Sequence, residues 1–411
     1  MSSPVWHPFT QHGLAEPIPL VERAEGAALF TRDGRRIVDA ISSWWVTTHG
    51  HRHPRIVAAI VAQAERLDQI IFAGWTHEPA EALARGLVAL LPSTLAHVFY
   101  SDSGSTSVEV ALKMALGYWL SRGEPRHRIL TLEHGYHGDT VGGMSVGARG
   151  VYNRAYTPLL FDVEMLPFPC GDGQATLDAL EVACSRAPAA LIVEPLVLGG
   201  GGMLMYSTDV LRQMREICER HRVLFIADEV MTAWGRTGTL LACEQAGVVP
   251  DLLCLSKGLT GGSLPLAVTL ATREIFEAHL SMDKAKMFFH SSSYTANPIA
   301  CAAALANLEV WSEEPVLARI TSLASRQARR MAALTGVRNA RTLGTIAACE
   351  IGDGSGYLAA QGVALAAHFR ERDVLVRPMG NTVYVMPPYC IDDDDLDRVY
   401  DAVAAAAARF G

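Results

Sequence analysis

The stretch ALIVEPLVLGGGGMLMYSTDVLRQMREICERHRVLFIADE, residues 190–229, decides the fold class. It begins and ends with short runs, "ALIVEP" and "VLFIADE", that are almost wholly apolar. Runs of that length suit strands covered on both faces. Between them, Val210, Leu211, Met214, Ile217 and Cys218 recur at helical spacing, and Ser207 or Thr208 is placed to cap the helix start. Strand, helix, strand is the unit of a mostly parallel α/β sheet.

The pattern spreads outward. "HVFYSDS", "RILTLEH", "DLLCLSK" and "LAVTLAT" read as further buried strands. The C-terminal part differs. "GVALAAHFRERDVLVRPMGNTVYVMPP" reads as helix, strand, tight turn, strand, and "DDDLDRVYDAVAAAAARF" as a helix whose acidic first turn suits the helix dipole. Near the N-terminus, "ALFTRDGRRIVDA" reads as a hairpin around Asp33-Gly34. The expected organisation is α/β: a large domain with a mostly parallel central sheet, residues 51–298, and a smaller α+β domain. The smaller domain combines residues 1–50, which also gate the site, with residues 299–411.

The 411 residues are 50% hydrophobic and 19% charged, enough for a large core and unlike a disordered chain. A formal net charge of −8 excludes a chain-wide basic footprint for nucleic acid. The eight cysteines form no CxxC pair and sit mostly in apolar stretches, as reduced buried thiols of a cytoplasmic protein do. No basic-then-apolar leader and no apolar run of about 20 residues is present, so neither secretion nor a membrane span is expected.

Four features fall at predicted strand ends, where open α/β sheets place ligands. Ser103-Gly104-Ser105 starts a helix, with Thr106 and Glu109 at capping-box spacing; alone it reads as an ordinary capped turn or as a phosphate cradle. Asp228 ends an apolar strand, as a turn cap or as a carboxylate facing a cationic ligand atom. Lys257 ends the next one, as a snorkelling surface residue or as an amine nucleophile of lowered pKa. Tyr136, in the loop "HGYHGD", is a core aromatic or a ring that stacks on a flat cofactor.

Together these four describe one ligand. Pyridoxal phosphate carries a phosphate, an aromatic ring, a protonatable pyridine nitrogen and an aldehyde that condenses with lysine. A carboxylate beside the pyridine nitrogen favours its protonated form. Two other motifs point elsewhere. His49, His51 and His53 in "HGHRHP" alternate like metal ligands but lack an obvious carboxylate or cysteine partner, so no metal site is expected. The run Gly199–Gly202 lacks the dinucleotide-binding pattern and reads as a flexible loop near the cleft.

"IADEVMTAWGRTG" followed by "LSKGLTGG" resembles the class III, fold type I pyridoxal-phosphate aminotransferases, and the resemblance covers essentially the whole chain. "WHPFT", "SSWW", "HGHRHP", "GYHGDTVGGMSVG" and "RPMGNTVYVMPPY" are similar to the branch of that family that works in biotin synthesis. The resemblance implies that Lys257 carries the covalent link to the cofactor and moves the proton. It places Asp228 on the pyridine nitrogen and Gly104 and Ser105 on the phosphate. Tyr136, Phe9 and Trp44 would line the substrate pocket, and Arg377 would hold a substrate carboxylate, for which a bidentate guanidinium suits. Ser292 and Ser293 would reach the cofactor phosphate, and Ser291 the substrate, of a neighbouring subunit in a homodimer.

The implied substrates are 8-amino-7-oxononanoate and an amino donor, S-adenosylmethionine or lysine. Members that use S-adenosylmethionine commonly carry Tyr where this chain has Phe9, and His-Gly-Pro-Thr where it has His290-Ser291-Ser292-Ser293. Relatives that use lysine can carry Phe at the first position. Another ω-amino-acid transaminase or an aminomutase of the same family is the alternative activity. A non-catalytic protein of this fold is disfavoured by Lys257, Asp228 and Arg377 together. A nicotinamide-dependent oxidoreductase is disfavoured by the missing GxGxxG pattern.

Overall fold

A computed structural model describes residues 3–354 and 356–411. In chain order the strands are β1 (Val21–Glu25), β2 (Ala28–Thr31), β3 (Arg36–Asp39), β4 (Leu95–Ser101), β5 (Ile129–Leu132) and β6 (Glu164–Leu166). They continue with β7 (Ala190–Val193), β8 (Val197–Leu198), β9 (Leu204–Met205), β10 (Leu224–Asp228), β11 (Leu252–Leu255) and β12 (Ala267–Thr272). The last are β13 (Arg338–Leu343), β14 (Ile346–Glu350), β15 (Val374–Leu375) and β16 (Thr382–Val385). The longer helices are α1 (Pro54–Ala64), α2 (Glu78–Leu90), α3 (Gly104–Ser121), α4 (Gln174–Cys184) and α5 (Thr208–Arg220). Then follow α6 (Pro298–Glu313), α7 (Val316–Ala333), α8 (Gln361–Glu371) and α9 (Asp393–Phe410).

The central sheet has the order β4-β12-β11-β10-β7-β5-β6. Only β12 runs against its neighbours; the other pairings are parallel. Every residue of β5, β7, β10 and β11 is buried, as runs covered by helices on both faces must be. The expected helix is α5: Ser207 Oγ accepts from the Val210 amide, and Val210, Leu211, Met214, Ile217 and Cys218 form its buried face. Burying each such aliphatic side chain contributes about 1.5–3 kcal/mol.

The start of α3 is capped differently from the expectation. The reciprocal capping box joins Ser103 and Thr106: Thr106 N donates to Ser103 Oγ at 3.2 Å, and Ser103 N to Thr106 Oγ1 at 3.0 Å. Glu109, one turn later, instead accepts from the Gly142 amide at 2.6 Å and ties down the neighbouring loop.

A second core joins both ends of the chain. The hairpin β2–β3 turns at Asp33-Gly34, and β3 pairs in parallel with β15. Arg35 donates to Asp373 and to the Arg370 carbonyl across that junction. The two strands expected in "DVLVRPMGNTVYV" separate: β15 joins β3, whereas β16 joins β14 and β13 in another sheet. α6 spans both cores. Ala300, Cys301 and Ala304 pack in the larger one and Val310 in the smaller. All eight cysteines are free, and six are buried; Cys170 and Cys390 are exposed. No helix among the described residues is long and apolar enough to cross a membrane.

Candidate active site

A cavity of about 500 Å³ opens where β4, β7, β10 and β11 end, and Gly104, Ser105, Tyr136, Asp228 and Lys257 all line it. Lys257 starts a 3-10 turn, Lys257–Thr260, with its own φ at 46°, a left-handed conformation that is strained for a residue with a Cβ. Its Nζ lies 5.2 Å from the centre of the Trp45 ring. Burial holds the amine below its ordinary pKa, while the Asp228 and Glu194 carboxylates act in the opposite sense and Arg236 reinforces the lowering. A lysine with weakened hold on its proton is a nucleophile.

Asp228 is buried, its Oδ2 2.8 Å from His137 Nδ1 and its Oδ1 accepting from the Val230 amide at 3.1 Å. Glu194, at the end of β7, faces the same space. It accepts from the Tyr136 amide at 2.9 Å and from the Gly199 amide at 2.9 Å. Burial pushes its carboxyl up to about 7, with Asp228 adding to the rise and His137 opposing it. The sequence reading did not single out His137 and Glu194. Their signal was present: each is polar, and each directly follows a buried strand or its turn.

Gly104 and Ser105 open α3, an 18-residue helix whose dipole and free amides favour an anion. Gly138 adopts φ 109° directly against Ser105, and the Asp139 amide donates to Ser105 Oγ at 3.2 Å. Tyr136 is held from behind by Gly200, where an added Cβ would stand 2.5 Å from the Tyr136 Cβ. The glycine run is therefore no loose loop. It turns the hairpin β8–β9 in a space where residue 200 has no room for a side chain. A helix start with free amides, a ring, a carboxylate and an amine line one cavity, and that donor set fits pyridoxal phosphate.

The mouth is aromatic. Phe9 meets Trp44 edge-on with centroids 5.3 Å apart, and meets Tyr152 at 6.2 Å. The Arg377 guanidinium lies over Phe9 and Trp44 and donates to Tyr357 Oη. Trp44 sits in a turn in which Ser42, Ser43 and Trp45 have positive φ. Asp39 holds that turn by accepting from Ile41 N at 3.2 Å and Ser43 N at 2.7 Å, and His51 Nε2 reaches Asp39 at 2.8 Å. His49 and His53 go elsewhere, to Asn307 at 2.8 Å and Glu314 at 3.0 Å. The three alternating histidines thus serve three partners.

Ser291, Ser292 and Ser293 stand outside the cavity lining of their own chain. Ser292 Oγ donates to Asp102 at 2.6 Å, Ser291 Oγ lies 3.2 Å from Thr295 Oγ1, and the Ser293 carbonyl accepts from Gln69 at 2.8 Å.

The description Aminotransferase class-III matches residues 10–407. This chain is a class-III aminotransferase. Class-III aminotransferases depend on pyridoxal phosphate, which agrees with the donor set of the cavity. The chain is 46% identical to the adenosylmethionine-8-amino-7-oxononanoate aminotransferase of Synechococcus elongatus, over 97% of each chain. It is 39% identical to the enzyme of the same name from Mycobacterium leprae, over 99% of this chain and 95% of that one. Among solved structures, the adenosylmethionine-8-amino-7-oxononanoate aminotransferase of Methanocaldococcus jannaschii superposes with a TM-score of 0.95 at 32% identity, covering 99% of this chain and 97% of that one. A PLP-bound amine transaminase from an uncultivated Pseudomonas species superposes with a TM-score of 0.93 at 34% identity, each chain fully covered. The fold is thus shared with these solved structures along essentially the whole chain.

Proposed function

We propose that this class-III aminotransferase acts in biotin biosynthesis, moving an amino group from S-adenosylmethionine to 8-amino-7-oxononanoate to give 7,8-diaminononanoate. The full-length likeness to enzymes of that name carries the reading, supported by the aromatic mouth closed by Arg377. Pyridoxal phosphate, bound in the cavity, supplies the electron sink that lets an amino group pass between two carbon skeletons. Lys257 would form the covalent link to it, and its amine would hold and move the proton at the reacting carbon. Asp228, oriented by His137, would meet the pyridine nitrogen and favour its charged form. Gly104 and Ser105 would hold the phosphate, and Tyr136 would cover the ring.

Phe9 and Trp44 pack the aliphatic chain of the keto substrate, while Arg377 binds its far carboxylate. Ser291, Ser292 and Ser293 complete the site of a second copy in a homodimer, the cofactor phosphate taking Ser292 and Ser293. Two observations support that assembly. The three serines lie outside their own cavity, and Ile71, Trp75, Met282, Phe289 and Tyr294 leave large apolar side chains exposed. Light scattering gives the mass in solution, and a monomer would overturn the shared site.

Lysine as donor is the second reading, favoured by Phe9, which offers no hydroxyl to an S-adenosylmethionine molecule. The deciding assay incubates the cofactor-loaded protein with 8-amino-7-oxononanoate and each donor, and weighs the product by mass spectrometry. Diamine formed with either donor supports the activity; its absence with every donor overturns it in favour of another ω-amino-acid transaminase or aminomutase. Bleaching of the cofactor band by S-adenosylmethionine or by lysine alone separates the two donor readings.

A further inference from the structure

Asn307 is fully buried in α6, in the helical stretch "ACAAALANLEV". Its side chain is completely used. Nδ2 donates to the carbonyls of Gly258 and Leu259, both at 3.1 Å, and Oδ1 faces His49 Nε2 at 2.8 Å. Gly258 and Leu259 belong to the short turn that begins with Lys257.

That turn needs an external restraint. Lys257 carries a Cβ in a left-handed conformation, which chains adopt only where their surroundings impose it. Gly258 is hemmed in as well, since an added Cβ would stand 2.8 Å from the Trp234 Cβ. The Gly258 and Leu259 carbonyls of the turn meet α6, and among the described residues Asn307 is the side-chain donor that reaches them.

His49 completes the arrangement. Burial lowers its pKa to about 4, with the Asn307 hydrogen bond opposing that fall, so near neutrality the ring is uncharged. Because both hydrogens of the amide are directed at the two carbonyls, Oδ1 is an acceptor and His49 Nε2 must carry the proton. Trp311 and Tyr389 pack edge-on against the ring and fix its plane.

We propose that Asn307, itself oriented by His49, is a positioning residue that sets the turn from which Lys257 reaches into the cavity. The first histidine of "HGHRHP" thereby acts through two links on the amine proposed to bond the cofactor. The inference rests on that proposed role of Lys257. It adds residues that touch neither substrate nor cofactor.

The test compares Asn307→Ala, His49→Leu and His49→Gln with the unaltered chain, each loaded with pyridoxal phosphate. Three quantities are read: the pH midpoint of the visible band of the lysine–cofactor bond, kcat, and KM for the keto acid. Asn307→Ala and His49→Leu are expected to shift the midpoint and lower kcat by about ten- to a hundredfold, with KM moving less than about threefold. His49→Gln, which keeps an N–H for Asn307 Oδ1, is expected to restore most of both. A lowered melting temperature with unchanged midpoint and kcat in Asn307→Ala would overturn the proposal. Should Asn307→Ala fail to fold, the same unchanged values in His49→Leu overturn it. An unaltered chain that shows no visible band defeats the reading of Lys257 itself, a result distinct from variants that match it.

Discussion

The guanidinium carbon of Arg377 lies 4.8 Å from the centre of the Trp44 ring. The two residues come from opposite ends of the chain, and Phe9 closes the group edge-on to the same indole. A cation on an aromatic wall gives a substrate with an apolar chain and a terminal carboxylate a place for each part.

Arg377→Lys keeps the charge but loses the planar fork and the bond to Tyr357. Losing one charge-assisted hydrogen bond to a carboxylate costs about 1.5–3 kcal/mol, or about ten- to a hundredfold in kcat/KM for the keto acid. Steady-state rates against keto acid concentration check this; unchanged values would remove Arg377 from substrate binding.

Phe9→Tyr adds a hydroxyl at the mouth. A new neutral hydrogen bond contributes about 0.5–1.5 kcal/mol, a two- to tenfold change in preference. The variant is expected to bleach its cofactor band relatively faster with S-adenosylmethionine than with lysine, compared with the unaltered chain. Stopped-flow absorbance with each donor measures the ratio, and an unmoved ratio denies Phe9 a part in donor choice.

The Lys257 amine binds its proton less tightly in the folded chain than at its ordinary value of 10.5. Between the folded value and 10.5 the unfolded chain therefore holds more protons, and stability rises with pH across that window. Lys257→Met removes the penalty. The cofactor-free variant is expected to melt above the cofactor-free original at pH 7, with the gap narrowing as pH approaches 10.5. Melting curves at several pH values decide it; a constant gap would contradict the assignment.

Gly200→Ala places a methyl against Tyr136, 2.5 Å from its Cβ and 2.7 Å from its Cγ. Either the hairpin or the ring must move. Weakened retention of pyridoxal phosphate, seen as a higher dissociation constant in a fluorescence titration, is the expected result, with a folded core by circular dichroism. Retention equal to the original would show that Tyr136 does not depend on this backing.

What the sequence made legible follows from how concentrated each signal was. Asp228 and Lys257 stood out because each is a charge at or just past the end of a fully buried apolar strand. The helix over 208–220 was plain from its periodic apolar face and its Ser207 cap. β6 escaped because three edge residues, two of them half-covered, make no pattern, and β13 because its polar residues face outward at an edge. Glu194 directly follows β7, in a run that stays apolar beyond it through Leu196, Val197 and Leu198, so its place at a strand end did not stand out in the sequence. Asn307 sits among alanines with no motif around it, and only the folded chain brings it to the turn of Lys257. The glycine run was read for freedom, whereas the neighbouring Tyr136 makes it a spacer.

The pairing of β3 with β15 also sets an order of events during synthesis. Arg35 and Asp373, which bridge that junction, are 338 positions apart. Long-range strand pairing of this kind waits on slow loop closure. The strands β1, β2 and β3 leave the ribosome early and can pair with one another, yet the outer edge of β3 has no partner until residue 375 follows, so this small sheet is completed only after the Lys257 region is already made. A nascent chain would thus hold its amine before it holds its doorway, and a truncation that removes β15 would unseat the N-terminal hairpin without touching a single residue at the amine end of the cavity.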